Sequence, residues 1–336
     1  VRWRRQSGGS VLILVLWSLS LLAVFSVSLS YGMRQKLTLL SSLEKQEALF
    51  SIAFSGIERS KSAVLEDADL DFDSFAEPWA QPKQFLSVKV EGGQFSVFYT
   101  ADGQGERFGV VDETRKINLN TADAAVLMQL LKVAADLDSD KAEEIAYAII
   151  DWRDSDSTFQ HAQYGAEDGY YDDLLIPYEA KDAKFELPQE LLLIKGITPA
   201  IFDKIQPYLT AHGSGLVNLN TAPEEVFVAL GMPSGLAGKI IAYRAGPDGK
   251  EATADDYFFK SVQVVVTQLD NSTPPPDQSE RTILSDLISA EKLATASTIF
   301  SARSRGVLEK GGQSMEITAV FDRKGNTAYL RVSSIR

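Results

Sequence analysis

Two runs of carboxylates are the stretches of this chain whose residue types and spacing suit them to hold a ligand. The first comprises Asp151, Asp154 and Asp156, followed by Glu167 and Asp168 ahead of Tyr170-Tyr171. The second is GPDGKEATADDYFF, where Asp248, Glu251, Asp255 and Asp256 surround a glycine turn. Clustered carboxylates match a hard cation such as calcium, which takes about six to eight oxygen ligands. Metal bound there would stabilise long loops that have little core of their own. Read as solvated acidic loops, both runs need no ion. Composition chooses neither between these readings nor between the two runs.

The first run imitates the opening of an EF-hand loop at Asp154, Asp156 and Thr158. Phe159 replaces the required glycine, however, and Gly165 stands where the bidentate glutamate belongs, so it is not an EF-hand. Little else in the chain points to chemistry. It has no cysteine, which excludes disulfides, thiolate metal sites and cysteine nucleophiles. His161 and His212 are the only histidines, and both lie in polar, loop-like contexts that read as surface or packing positions. No serine sits in a G-x-S-x-G turn, and no glycine-rich loop is built to cradle phosphate. No catalytic residue is expected, and the chain reads as a non-enzyme.

The acidic runs must be positioned by a helical region that contains an internal repeat. INLNTADAAVLMQL (Ile117–Leu130) matches VNLNTAPEEVFVAL (Val217–Leu230), and each is followed by a second helix ending in an aromatic residue and an arginine, at Trp152-Arg153 and Tyr243-Arg244. Thr221 with Glu224 forms a capping-box pattern, Pro223 suits a first helical turn, and Thr121 is placed to cap its own helix beside Asp123. LLLIKGITPAIFDKIQPYL (Leu191–Leu209) adds a third hairpin, turning at Gly196. These units look like helix-hairpin-helix modules, which often bind DNA through amides at a glycine-rich turn. Here Gly231 precedes Met232-Pro233 and Gly196 precedes Ile197-Thr198, so a second glycine is missing from each turn. Charge points the same way. The chain carries a net −13, and without Arg2, Arg4 and Arg5 it has 30 basic residues against 46 acidic ones, a net −16. Such a body repels phosphate backbones, so the repeat reads as a packing scaffold and no nucleic-acid partner is expected.

On either side of this region the pattern turns to β structure. FLSVKVEGGQFSVFYTADGQGERFGVVDE alternates around turns at Gly92-Gly93 and Asp102-Gly103, and SMEITAVFDRKGNTAYLRVSSIR alternates around Lys324-Gly325-Asn326, with a further strand over 297–307. Asp67 to Glu77 reads as an acidic loop, and NSTPPPDQSE as an exposed, mobile one. Ahead of all this, Val11 to Tyr31 is uncharged and long enough to span roughly 30 Å of hydrocarbon as a helix. Arginines on its N-terminal side place that end in the cytoplasm by the positive-inside rule. No proline interrupts the helix before about Leu65, and Leu43, Phe50, Ile57 and Val64, with Leu40 and Phe54 beside them, supply an apolar stripe. The expected architecture is α+β: a long N-terminal helix packed on an antiparallel sheet, with a large helical domain inserted. Boundaries are expected at 1–9 for a leader, 10–33 for the membrane half of the helix, 34–112 and 284–336 for the two parts of the α+β domain, and 113–283 for the insertion.

A short basic leader ending in Gly8-Gly9, then an apolar helix running into a globular head, resembles the type IV prepilin-like class. That resemblance implies cleavage by a prepilin peptidase after Gly8 or Gly9, leaving Gly9 or Ser10 as the first mature residue. Most members carry a glutamate at the fifth mature position, where this chain has Ile13 or Leu14. Together with the two NLNTA repeats, DWRDSD leading to YGAEDGYY, and ELPQELLLIKGITPAIFDKIQPYLT, the chain resembles the minor pseudopilin K family of type II secretion systems. The resemblance implies a pilin-like α+β fold, an inner-membrane anchor with a periplasmic body, and a place at the pseudopilus tip with minor pseudopilins I and J and other pseudopilins. It also implies calcium; the second acidic run resembles the calcium loop of the major pseudopilin, in a different part of the chain. Two other outputs fit the same residues less fully: a membrane-anchored DNA receptor, and a minor pilin of a type IV pilus.

Overall fold

A helix of 57 residues, α1 (Gly9–Leu65), organises the computed structural model, which describes residues 9–67, 69–101, 105–253, 255–310 and 312–335. The leader up to Gly8 therefore lies outside the described residues, as does the expected turn at Asp102-Gly103; Gly9 and Ser10 form the first turn of α1. After α1 the chain forms β1 (Val88–Val90), β2 (Gly93–Ala101), β3 (Gly105–Phe108) and β4 (Val111–Asp112). The helical region follows as β5 (Ile117–Asn118), α2 (Ala124–Ala135), α3 (Ser139–Arg153), α4 (Asp168–Tyr171), α5 (Pro199–Ile205), β6 (Leu209–Thr210), β7 (Val217–Asn218), α6 (Glu224–Ala229), α7 (Ser234–Arg244), α8 (Val265–Leu269), α9 (Gln278–Ser289) and β8 (Leu293–Ala294). It closes with β9 (Ile299–Leu308), β10 (Ser314–Asp322) and β11 (Thr327–Ile335).

The sheet runs β1-β2-β9-β10-β11, with β3 on β2 and β4 on β9, all antiparallel. Alternation along β10 sends Ile317, Ala319 and Phe321 into the core shared with α1 and turns Glu316 to the other face, between Arg303 and Arg305. Helix α1 reaches this core only from Leu49 onward. Its buried face is Leu49, Ile52, Ala53, Gly56, Ile57, Ser60, Ala63 and Val64. The expected stripe is thus corrected: Ile57 and Val64 are buried, but Leu40, Leu43 and Phe50 are exposed. Small residues explain the shift. Ala53, Gly56 and Ser60 let the helix approach β9 so closely that a Cβ on Gly306 would lie 2.6 Å from the Ala53 nitrogen, and one on Gly56 would lie 2.1 Å from Ser304 Oγ.

A separate core serves the helical region, built from Leu127, Leu130, Ile145, Ile149, Phe227, Leu236 and Ile240 among others. Leu284 and Leu293 belong to it, so its packing extends past the expected boundary at 283. The expected caps are also corrected. Asp123, not Thr121, caps α2 by accepting from the Val126 amide. Thr221 does not cap α6, because its hydroxyl donates instead to Asp112 at 2.6 Å. The last residues of NSTPPPDQSE open α9, where Asp277 and Glu280 form a reciprocal capping box.

Gly306→Ala should destabilise the full chain by about 1–3 kcal/mol, since backbone rather than a flexible side chain occupies the space. Gly238→Ala, inside α7 with nothing within 4 Å of its added Cβ, should be neutral or stabilise by up to about 1 kcal/mol. Denaturant midpoints of the two variants in detergent solution check the contrast.

Candidate metal centre

Both acidic runs occupy the same place in a module that the chain builds twice. In each copy the first asparagine of NLNTA turns the backbone, with Asn118 Oδ1 accepting from the Asn120 amide at 2.8 Å and Asn218 Oδ1 from the Asn220 amide at 2.9 Å. The second asparagine clasps a distant phenylalanine through both its main-chain groups: Asn120 with Phe185, Asn220 with Phe259. The arginine ending the second helix donates to the leucine carbonyl within the motif, Arg153 to Leu119 and Arg244 to Leu219. A short parallel bridge closes each module, β5 with β6 and β7 with β8. The acidic runs are the loops between that arginine and that phenylalanine.

In the first module the loop carries more buried carboxylate oxygens than donors. Asp151, at the end of α3, is buried and accepts from the amides of Gln160 at 3.1 Å and Ala166 at 3.0 Å. Gly165 makes this possible: its φ is +113°, and a Cβ there would sit 2.0 Å from Asp151 Oδ2. Glu167 is buried with neither oxygen hydrogen-bonded, and one buried oxygen each of Asp154 and Asp182 also lacks a partner. Burial, together with the charges of Asp151, Asp154, Asp182 and Asp168, pushes Glu167 up to about 7. Burial also raises Asp151 and Asp154. Asp168 is taken up by the Ala180 amide at 2.8 Å, and exposed Asp156 folds back onto Thr158. Buried carboxylates without donors suit a hard cation in charge. Their oxygens do not converge within 4.8 Å of one another, so Asp154, Glu167 and Asp182, backed by Asp151, would hold calcium here if the loop drew them together.

Asp182 is not among the sequence candidates, although Asp256 holds the same place in the second module, three residues before its clasped phenylalanine. The Asp182 amide donates to the Trp152 carbonyl at 3.1 Å, which brings it against the end of α3, and its φ of +49° is a conformation that aspartate tolerates better than most residues. The signal available in the sequence was its position three residues before the clasped Phe185.

The second loop is different because its carboxylates already have donors. Asp256 accepts from the amides of Ala252 at 2.7 Å and Thr253 at 3.2 Å, and Asp255 accepts from the Asp248 amide at 3.1 Å. The Thr253 hydroxyl donates to Asp255, holding it below the usual carboxylate range. Asp248 accepts from the Lys250 amide, and Glu251 pairs with buried Arg244 at 2.5 Å. Of the two runs, the first has the buried carboxylate oxygens without donors.

Comparison with known proteins gives one consistent likeness. Residues 109–214, which contain the first module, match the family model described as type II secretion system protein K. Over that stretch, and in the relatives below, the chain is similar to type II secretion system protein K. Family members of that name include one from Aeromonas hydrophila, 25% identical over 233 residues covering 66% of this chain and 69% of the relative. Another, from Pectobacterium carotovorum subsp. carotovorum, is 28% identical over 229 residues covering 66% and 68%. In fold, the chain is similar to a chain of the GspK–GspI–GspJ complex of the enterotoxigenic Escherichia coli type 2 secretion system, with a TM-score of 0.64 and 19% identity over 88% of this chain and 99% of the other. The long helix, antiparallel sheet and helical region of this chain thus form a pilin-like α+β fold.

If the first loop holds calcium, chelation should lower the melting temperature of the full chain, and Glu167→Gln should reduce that dependence. Asp255→Asn should leave it intact, because Asp255 is already satisfied within its loop. Melting curves with and without a chelator distinguish the three proteins; an unchanged wild-type value would argue against an ion.

Proposed function

We propose that this protein is a non-enzymatic minor pseudopilin that assembles with minor pseudopilins I and J at the tip of the pseudopilus and initiates or caps it. The observation that carries the reading is the join between an exposed apolar helix and a bulky head in one chain of this fold. From Val11 to Glu47 nearly every residue of α1 is exposed, and its most apolar 18-residue window has mean hydropathy 2.5, long and apolar enough to cross a membrane. The same helix continues into the sheet core at Leu49. The solved complex of similar fold contains GspK, GspI and GspJ by its description.

In this reading the helix sits in the inner membrane, with the arginines Arg2, Arg4 and Arg5 on the cytoplasmic side and the acidic body in the periplasm. Prepilin peptidase removes the leader after Gly8 or Gly9. A buried carboxylate in lipid needs a partner such as a neighbouring subunit's terminal amine. Ile13 or Leu14 at the fifth mature position offers none, so the chain suits a place with no subunit above it. Calcium in the first loop would fix that loop against the end of α3.

The full chain, extracted from membranes in a non-ionic detergent, should co-elute with minor pseudopilins I and J as one complex. Separate elution of all three would overturn the reading. Salt-dependent binding of duplex DNA at physiological ionic strength would replace it with the DNA-receptor reading, and assembly only with pilins of a type IV pilus would move it to that machine.

A further inference from the structure

The segment joining α1 to the sheet reads Asp67, Asp69, Asp71 and Asp73 at alternate positions, then Glu77. It shares no residue with the two loops discussed above, and its Phe72 stacks on Phe258 of the second at 4.4 Å between ring centroids. Its outer part is wound into successive turns, with Asp67 Oδ1 accepting from the Asp69 amide and Asp69 Oδ1 from the Asp71 amide. Its inner part dives into the protein, where Asp73 is wholly buried and Glu77 is 8% exposed. One carboxylate oxygen from each of Asp67, Asp73 and Glu77 lies within 4.8 Å of the other two, the one such group among the described residues.

The donors around this group are few. Arg323 donates to Asp67 at 3.0 Å and to Asp73, the Ser297 amide donates to Asp73 Oδ2 at 2.6 Å, and the Trp79 indole donates to Glu77 Oε2 at 2.6 Å. Glu77 Oε1 is buried without a partner. Three carboxylates face one guanidinium, which leaves two negative charges in a largely buried place. Burial and the charges of Asp73 and Asp67 push Glu77 up to about 9, as expected where positive charge is short.

We propose that Asp67, Asp73 and Glu77 form a second site for a hard divalent cation of calcium's size. Calcium binds oxygens at about 2.3–2.6 Å, so ligands on its opposite sides stand about 5 Å apart, in keeping with the spacing of this group. A carboxylate oxygen that accepts one N–H still has a lone pair for a cation. With the ion in place, the two surplus negative charges are balanced.

The position gives the site a mechanical role. The Asp73 amide donates to the Thr295 carbonyl, and its own carbonyl accepts from Asn218 of the second NLNTA motif. Arg323, from the β10–β11 turn, also donates to the Ser297 carbonyl. A cation here would fasten the exit of α1, the helical region and the sheet to one another.

Terbium luminescence tests the proposal, because the indole hydrogen-bonded to Glu77 would sensitise a bound terbium ion. The full chain in non-ionic detergent is first made Glu167→Gln/Asp182→Asn, to silence the loop centre. In that background, tryptophan-excited terbium emission should persist and be displaced by calcium. Adding Glu77→Gln, which keeps an acceptor for Trp79, should cut emission and calcium affinity at least tenfold, and Asp67→Asn should weaken both similarly. Trp79→Phe should remove the emission while calorimetry still records one calcium. Emission and stoichiometry unchanged by both Glu77→Gln and Asp67→Asn would overturn the proposal, as would a background protein that binds neither ion. Loss of the loop centre alone leaves these readouts standing, so the two sites fail independently.

Discussion

The arrangement of sheet and helical region turns on one buried carboxylate, Asp112. It lies at the end of β4, is 1% exposed, and accepts from the Thr114 amide, the Thr221 and Ser297 hydroxyls and the Asn218 amide group. Burial raises its pKa, and the four donors oppose that rise by stabilising the charged form. Two of the donors belong to the second NLNTA motif, one to the approach to β9, and one to the turn leading into the helical region. Loss of any one leaves a buried polar group short of a partner. This geometry sets how the helical region sits on the sheet, and it is the reason Thr221 does not serve as a helix cap.

Much of the fold was legible in the sequence because the signals were local. A long stretch without proline gave α1, period-two alternation gave the strands of both β segments, and the paired NLNTA motifs marked the modules. The misreadings share a cause: they concern residues whose partners lie far along the chain. The buried face of α1 is lined by Ala53, Gly56 and Ser60, which a search for large apolar residues at heptad spacing passes over in favour of Leu43 and Phe50. Thr221 looks like a cap until Asp112 comes within reach of its hydroxyl. Asp182 enters the first loop's carboxylate group only because its amide binds Trp152 on α3, a contact with no trace in local spacing. Candidate residues Asp151, Asp154 and Glu167 were recognisable by composition, but whether each oxygen had a donor was not.

That last distinction separates the two modules. They share the asparagine clasp, the arginine and the parallel bridge, yet treat their acidic loops in opposite ways. In the second, Thr253, backbone amides and Arg244 provide for the carboxylates. In the first, a longer excursion between Arg153 and Phe185 buries Glu167 and parts of Asp154 and Asp182 with no donor at all. Acid count is nearly the same in both runs; what differs is the supply of N–H and O–H groups, which is set by how the loop folds.

Strand β4 pairs with β9 through Val111 and Ser301 and through Asp112 and Phe300. The chain therefore leaves the sheet and rejoins it at neighbouring points, however much polypeptide lies between. An insertion with adjoining ends costs the host little in closure entropy, and that cost grows only slowly with the length inserted. Such a doorway lets the load carried on the head be enlarged or trimmed without redrawing the shaft beneath it, and the doubled module is cargo of the kind it admits.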